Sequence, residues 1–200
     1  MNKQLILASK SPRRKQLLSQ LGFQFECESA DIDESVLPEE NPEDYVRRVA
    51  VEKAQAIANI LEFSDNIIVL GSDTSVVIEG EILGKPVDKT DFVDMFNKLS
   101  GKRHQVITGI AVVQSARIES RIVVTDVYFK PLTSQEIDNY WYTNEPQDKA
   151  GGYGIQGIGG QFIEKIDGCY FSVVGLPLYE TTQLLNEFGL YTPVQAVPRN

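Results

Sequence analysis

The stretch that decides the fold is residues 7–14, which read Leu7-Ala8-Ser9-Lys10-Ser11-Pro12-Arg13-Arg14. The apolar run from Leu5 to Ala8 predicts a buried strand. Ser11 is placed to cap a helix, and Pro12 suits its first position because the missing N–H costs nothing there. Leu17, Leu18 and Leu21 then form one apolar helix face that ends at Gly22. The stretch therefore predicts a strand, a tight loop and a helix start.

The loop between this strand and this helix is a candidate anion site. Unpaired backbone N–H groups and the positive end of the helix dipole point out of such a loop. Hydroxyl and cationic side chains crowd the same place, namely those of Ser9, Lys10, Ser11, Arg13 and Arg14. An ordinary capped helix with two solvated arginines fits the same spacing, so the residues alone leave both interpretations open.

The overall charge restricts the classes of partner. The 200 residues carry a net charge of −9, which argues against general binding to nucleic acid or to an acidic membrane. An anionic ligand then needs a local cluster of cations, a metal ion, or both. Cys27 and Cys169 show no metal-ligand spacing and are expected to be reduced thiols of a cytoplasmic protein. No apolar run has the length of a signal peptide or a membrane span.

A second helix is predicted from Pro42 to about Leu61. Its apolar residues recur at helical spacing and are Val46, Val49, Ala50, Ala54 and Ile57. Lys53 falls on the same stripe, so its ammonium either extends to the surface or reaches a buried anion. The acidic segment 29–43 before the helix contains two prolines and predicts a loop, near whose start lies Glu34.

Asp73 is the most conspicuous acid of the sequence. It follows the strand formers of 67–71, and the strand pattern resumes over 75–78. We expect it at the carboxyl end of a buried strand, the edge where open α/β sheets collect ligands. A structural cap or turn residue is the alternative. Lys85 precedes a proline, which favours an extended backbone and keeps its side chain off any helix.

The second half of the chain mixes strands, helices and a glycine-rich segment. A helical core stripe (Phe92, Met95, Phe96, Leu99) comes first, followed by His104, which is expected to close a loop rather than to catalyse. Strands are predicted over 106–108, 110–114 and 121–129, and Thr133 with Glu136 forms a capping box. A β-hairpin is predicted over 163–174, and a last helix after Pro177.

Six glycines lie between Gly151 and Gly160, a density that allows close backbone approach to a ligand. Tyr153 and Gln156 are the polar side chains among them. The spacing and the context differ from those of a dinucleotide fingerprint. Residues 1–190 are expected to form one domain, and 191–200 a flexible tail.

Taken together, the motifs resemble the Maf family of nucleoside triphosphate pyrophosphatases. Seven segments match in order over about residues 4 to 189, namely 7–14, 52–54, 71–74, 84–86, 99–109, 148–157 and 174–177. The resemblance implies an α/β fold like that of inosine triphosphatases, with an elongated, twisted mixed sheet, flanking helices and two lobes around a cleft. It also implies a cytoplasmic homodimer that hydrolyses a nucleoside triphosphate to the monophosphate and pyrophosphate with a divalent cation, Mg²⁺ or Mn²⁺.

The positions of these residues and the resemblance together lead to a hypothesis for individual roles. Ser9, Arg13, Arg14, Lys53 and Lys85 are expected to bind phosphate, Glu34 and Asp73 to hold the metal, and Asp73 to be catalytic. Arg13, Thr74 and Gln156 match the branch that prefers dTTP and UTP. A glutamine amide both donates and accepts, as the edge of uracil or thymine requires. One departure is Ser72, where many members have alanine.

Two alternatives stay open at this point. The same fold could act on a purine or modified-base triphosphate, and Gln156 is the residue that would discriminate. A protein of another class, a septum-inhibition factor that mainly binds nucleotide, would show binding without turnover.

Overall fold

The computed structural model describes residues 3–29, 31–61 and 65–195. Its strands are β1 Gln4–Ala8, β2 Phe25–Glu28, β3 Ile67–Ile78, β4 Glu81–Leu83, β5 Arg103–Gln114, β6 Arg117–Phe129 and β7 Ile163–Asp167. Its α-helices are α1 Pro12–Gln20, α2 Pro42–Ile60, α3 Lys89–Leu99, α4 Ser134–Trp141, α5 Tyr170–Val174 and α6 Leu178–Glu187. Short 3₁₀ segments cover Glu145–Asp148, Ala150–Gly152 and Ile158–Phe162.

The strands form one mixed sheet in the order β2-β1-β3-β5-β6-β7, with β4 paired to β3. β1 runs parallel to both β2 and β3, whereas β4 and β7 are antiparallel to their partners. The predicted α/β class, with a mixed sheet and flanking helices, is therefore confirmed. No helix within the described ranges combines the length and apolar character needed to cross a bilayer.

The chain divides into two compact units. Strands β3, β5 and β6 each have residues in both units. The first unit comprises 1–73, 108–123 and 175–200, and one of its core clusters joins β1 and β3 to helix α2 through Ile6, Val69 and Ile57. The second comprises 74–107 and 124–174. Its core combines aliphatic residues with a group of packed aromatic side chains that includes Phe92, Phe96, Phe129, Tyr140 and Phe162.

Two helix starts follow the predicted capping chemistry, and a third helix has a cap that was not predicted. The Ser11 side chain accepts the N–H of Arg14, and Pro12 is the first helical residue of α1. Asn41 caps α2 immediately before Pro42. Thr133 and Glu136 form the complete capping box of α4. Each cap satisfies N–H groups that the helix itself leaves without a partner.

The prediction that Asp73 ends a strand is wrong in detail. β3 continues without a break from Ile67 to Ile78 because it changes partner on the way. It pairs with β1 as far as Gly71, opposite Ala8, and with β4 from Val76 onwards. Asp73 therefore lies inside β3, but beyond the carboxyl end of its parallel neighbour β1, which is the edge that the prediction intended.

Two further expectations are corrected. Residues 170–174 form helix α5 rather than the second strand of a hairpin, so β7 ends the sheet order, and the Cys169 N–H before the helix donates to Thr125 Oγ1 on β6. His104 lies within β5 and is buried, because the strand begins at Arg103 and passes through Gly109.

The predicted tail is described only in part. Thr192 is buried, and both its N–H and its hydroxyl donate to Gln195 Oε1. Residues 196–200 of the predicted tail lie outside the described residues.

Candidate active site

The loop between β1 and α1 has the predicted strand–loop–helix arrangement. Ser9 Oγ accepts the N–H of Ser11 at 3.1 Å, which folds the loop back on the helix start. Arg13 and Arg14 are half-buried in the first turn of α1, whereas Lys10 is exposed and pairs with Asp31 at 3.2 Å.

A hydrogen bond to a backbone carbonyl fixes the orientation of the Arg14 guanidinium. Its Nε donates to the oxygen of Gly175 at 2.9 Å, and the hydroxyl of Ser72 donates to the same oxygen at 3.1 Å. Gly175 has a φ of 125°, a conformation that favours glycine. Burial lowers the pKa of Arg14, and the nearby carboxylates of Asp73 and Glu34 oppose that effect. The guanidinium thus stays positive close to two acids.

Lys53 joins the two acids that the sequence predicted as metal ligands. Its Nζ lies 2.8 Å from Asp73 Oδ1 and 3.0 Å from Glu34 Oε1. The side chains of Lys53 and Asp73 are only 15% and 9% exposed, so this is a largely buried charge cluster. Of the two interpretations of Lys53, the one that reaches a buried anion is confirmed. Asp73 lies within strand β3 and pairs with the ammonium of Lys53, so it is not a turn residue.

Two glycines let helix α2 approach the sheet closely enough for that contact. A Cβ atom at Gly71 would lie 2.1 Å from the carbonyl oxygen of Ala50, and one at Gly109 would lie 2.5 Å from that of Val46. Neither position could carry a side chain without moving the helix. Gly71 is two residues from Asp73 on the same face of β3, and Lys53 is about one turn beyond Ala50 on α2. The close packing therefore brings Lys53 to Asp73.

The acidic loop that carries Glu34 is attached to α2 by two side chains that sequence analysis did not single out. The hydroxyl of Tyr45 donates to the carbonyl oxygen of Glu34 at 2.8 Å. Arg48 donates to both oxygens of Glu40, at 2.6 and 2.8 Å, and to the carbonyl oxygen of Ser35 at 2.9 Å. Burial, together with the charges of Asp73 and Glu34, raises the pKa of Tyr45 to about 12.

The residues present fit a divalent cation. Mg²⁺ typically takes one or two carboxylates and completes its shell with water and substrate phosphates. Glu34 and Asp73 supply two carboxylates that already share one positive group, the ammonium of Lys53. Within 3–29, 31–61 and 65–195 no group of three or more His, Cys, Asp or Glu side chains is arranged as a metal site. The donor set therefore suits a metal that arrives with its substrate.

Three predicted site residues belong to the second unit. Thr74 is half-buried and, as the neighbour of Asp73 in β3, points to the opposite face. Lys85 is exposed, and the carbonyl of the preceding Gly84 accepts the N–H of Gly151 at 2.9 Å. Gln156 is exposed within the glycine-rich segment. Lys85 is thus tied to the segment that carries Gln156.

His104 is a structural residue of the second unit. Its Nε2 is 2.7 Å from the hydroxyl of Tyr153, and its ring packs edge-on against Phe129 with centroids 4.9 Å apart. Burial lowers the pKa of His104 to about 4, so the ring is neutral at pH 7. The pair attaches the start of the glycine-rich segment to β5.

Comparison with known proteins identifies the family. The profile of a family described as Maf-like protein matches residues 4–188. The chain belongs to the Maf family.

Relatives within the family cover almost the whole chain. A protein of Colwellia psychrerythraea named dTTP/UTP pyrophosphatase is 54% identical over 94% of this chain and 90% of its own length. Proteins of the same name from Pseudoalteromonas translucida and Vibrio parahaemolyticus are 54% and 52% identical, over 94% and 92% of this chain and 98% and 96% of their own lengths.

Two solved structures show a partial likeness. The Ham1 protein of Staphylococcus aureus matches with a TM-score of 0.47 and 17% identity over 80% of each chain. A nucleoside-triphosphatase, or dITP/XTP pyrophosphatase, of Mycobacterium abscessus matches with a TM-score of 0.42 and 11% identity, over 63% of this chain and 74% of its own.

Within this Maf chain, the described contacts bring Arg14, Glu34, Lys53 and Asp73 together, with Ser9 and Arg13 on the adjoining loop and helix start. Sequence analysis missed the residues that hold them, namely Tyr45, Arg48 and the carbonyl of Gly175. A spacing of four between Arg48 and Glu52 was the one available signal, and they do pair at 3.1 Å. No pattern marks a backbone carbonyl as an acceptor.

Proposed function

We propose that this chain is a nucleoside triphosphate pyrophosphatase that hydrolyses dTTP and UTP to the monophosphate and pyrophosphate. The observation that carries the proposal is the cluster in which Lys53 binds both Asp73 and Glu34 beside Arg14, in a chain of net charge −9. Cations held next to two acids suit a triphosphate that brings a metal. Relatives that share half of the sequence bear the name dTTP/UTP pyrophosphatase.

The chemical step is a displacement at the α-phosphorus. A water oxygen forms the new bond to phosphorus, the bond to the oxygen bridging to the β-phosphorus breaks, and pyrophosphate leaves with that electron pair. Asp73 accepts the proton that the attacking water loses, and Lys53 compensates its charge at 2.8 Å. Arg13, Arg14, Lys85 and the hydroxyl of Ser9 bind the phosphates and stabilise the charge that grows on the leaving group.

Glu34 and Asp73 are the residues that would hold a divalent cation, Mg²⁺ or Mn²⁺. Such an ion, when bound, would neutralise negative charge on the phosphate oxygens. The attachment of the Glu34 loop to α2 through Tyr45 and Arg48 keeps this carboxylate near Asp73 before substrate arrives.

Gln156 reads the base in this proposal. Thymine and uracil present an N3–H donor between two carbonyl acceptors, and the amide of glutamine can pair with a donor and an acceptor at once. A glutamate there would only accept and would repel the carbonyls. Arg13 and Thr74 complete the set of residues that favours a pyrimidine.

We also propose that the protein works in the cytoplasm as a homodimer, with 1–190 as its nucleotide-binding domain and 191–200 as a tail. The cysteine usage supports the cytoplasm, and the family resemblance supports the homodimer and the domain. Light scattering coupled to size-exclusion chromatography gives the oligomeric state directly.

A panel of nucleoside triphosphates tests the function. Purified protein is incubated with dTTP, UTP, dCTP, dATP and dGTP, with and without Mg²⁺, and the products are separated by ion-exchange chromatography. We expect monophosphate and pyrophosphate from dTTP and UTP, and only with the metal. Release of orthophosphate, a preference for a purine, or nucleotide binding without turnover would each contradict the proposal.

A further inference from the structure

The glycine-rich segment places Gln156 in a tight four-residue turn. The N–H of Gly157 donates to the carbonyl of Gly154 at 3.1 Å, which closes the turn over residues 154–157. Gln156 is the third residue of this turn and is exposed, whereas Tyr153 before it and Gly159 after it are buried. The segment therefore presents one long polar side chain on a short backbone arch.

Both ends of the arch are held by a pair of side chains, Glu145 and Tyr140. Glu145 accepts the N–H of Ile158 at 2.7 Å on one oxygen and that of Gly159 at 3.0 Å on the other. The hydroxyl of Tyr140 donates to Glu145 Oε1 at 2.7 Å and accepts the N–H of Gly154 at 3.4 Å. The pair thus binds backbone on each side of Gln156.

The glycines of the arch are shaped around this pair. A Cβ atom at Gly157 would lie 2.3 Å from Glu145 Oε2, and one at Gly159 would lie 2.5 Å from the hydroxyl oxygen of Tyr140. Side chains at these positions would displace the carboxylate or the ring. The glycine density that sequence analysis assigned to ligand approach is therefore required, at two positions, for contact with Glu145 and Tyr140.

The pair is itself firmly supported by the core of the second unit. The Tyr140 ring is 2% exposed and packs against Phe96 and Phe162, with centroids 5.6 and 5.0 Å away. Burial alone would raise the pKa of Glu145, but hydrogen bonds from Gly159, Tyr140 and Ile158 outweigh it, and the pKa lies below the ordinary value. A charged carboxylate makes the stronger hydrogen bonds to N–H groups.

We propose that Glu145 and Tyr140 are positioning residues for nucleobase selection, acting through the backbone arch that carries Gln156. The inference rests on the proposed function, because it takes Gln156 as the residue that reads the base. Selection by hydrogen bonds requires donor and acceptor to be placed within a few tenths of an ångström. An arch released from Glu145 lets the amide move, so that bases other than thymine and uracil are accommodated.

The test compares selectivity, not activity alone, in Glu145→Gln and Tyr140→Phe. Each variant keeps the size of its side chain, and Tyr140→Phe keeps the ring packing. kcat/KM is measured for dTTP and dGTP, and for ribose 5-triphosphate, which has no base. We expect the dTTP:dGTP ratio to fall about tenfold in both variants, while kcat/KM for ribose 5-triphosphate stays within about twofold of the unmodified protein.

Glu136→Gln is the matched control. Glu136 also lies on α4 and also accepts a backbone N–H, that of Thr133 at 2.8 Å, but it caps the helix and does not touch the arch. Its variant should lose stability and keep the dTTP:dGTP ratio.

The outcomes separate the inference from the proposed function. An unchanged ratio in Tyr140→Phe, with a folded protein by circular dichroism, overturns the inference even if Glu145→Gln fails to fold. Equal losses on all three substrates would make the pair merely structural and overturn it too. Failure of the unmodified protein to release pyrophosphate from dTTP would instead contradict the proposed function.

Discussion

The charge cluster of the first unit and the glycine-rich arch of the second are built in opposite ways. In the cluster, side chains on rigid elements bind one another, as Lys53 on α2 does with Asp73 on β3. In the arch, a side chain binds backbone N–H groups, as Glu145 does with Ile158 and Gly159. Phosphates are recognised mainly by charge, whereas a base edge is recognised by direction. We expect the first construction to serve turnover and the second to serve choice of substrate.

The largest effect should come from breaking the cluster at Asp73. Asp73→Asn keeps the shape but removes the charge and the proton acceptor, so kcat for dTTP should fall by a factor of about 100 or more. The matched control is Asp138→Asn, which breaks an exposed Asp–Lys pair with Lys89 and should leave kcat unchanged. Near-normal turnover of dTTP by Asp73→Asn would refute the role given to that residue. Pyrophosphate release measures both.

Acid should weaken the second unit through His104. Its pKa of about 4 in the folded protein lies below the ordinary 6.5, so the unfolded chain binds the additional proton between these values. Stability is therefore full above pH 6.5 and falls as the pH drops towards 4, by about 3 kcal/mol. Urea unfolding from pH 7 to pH 4 measures this, and His104→Gln should flatten the dependence. An equally steep slope in the variant would assign the effect to other groups.

Arg48→Ala should loosen the acidic loop without touching Asp73. It removes the contacts to Glu40 and Ser35, and it leaves the Glu40 carboxylate, 8% exposed, without its guanidinium. We expect the Mg²⁺ concentration for half-maximal activity to rise about tenfold, because Glu34 is held less firmly. Arg47→Ala, an exposed neighbour on the same helix, is the control. An unchanged Mg²⁺ requirement would show that the loop needs no such anchor.

The smallest effect is expected at Ser72. In Ser72→Ala the Gly175 carbonyl loses one donor but keeps the Nε of Arg14, so no buried acceptor is left without a partner. kcat/KM for dTTP should fall about threefold, and the melting temperature should shift by only a few degrees. A loss as large as that of Asp73→Asn would mean that the hydroxyl takes part in the reaction itself.

The sequence was most informative where local chemistry decides the outcome. The caps of α1 and α4 depend on residues three positions apart, and the stripe on α2 depends on a period that the helix imposes. The family resemblance, which the profile match confirms, rests on short motifs in a fixed order. The cation and acid cluster follows from these motifs together with the close approach of α2 at Gly71.

The predictions were wrong where contacts between segments far apart in the sequence decide the secondary structure. Residues 170–174 have strand propensity, yet they form helix α5, whose start is bound to β6 by hydrogen bonds from the Cys169 N–H and between the Ser172 and Thr125 hydroxyls. The break expected after Gly71 did not occur because β4 took over from β1 as the partner of β3. Likewise, the contacts of Glu145 and of the Gly175 carbonyl join segments that no local pattern relates.

The most direct test of the claim that the charge cluster serves turnover and the arch serves choice of substrate is a side-by-side measurement on Asp73→Asn and Gln156→Glu. kcat and KM are determined for dTTP, UTP and dGTP in both variants and in the unmodified protein. We predict that Asp73→Asn lowers kcat for all three substrates by a similar factor, and that Gln156→Glu changes the order of preference among them. An Asp73→Asn variant that alters preference, or a Gln156→Glu variant that keeps its pyrimidine preference, would contradict this claim.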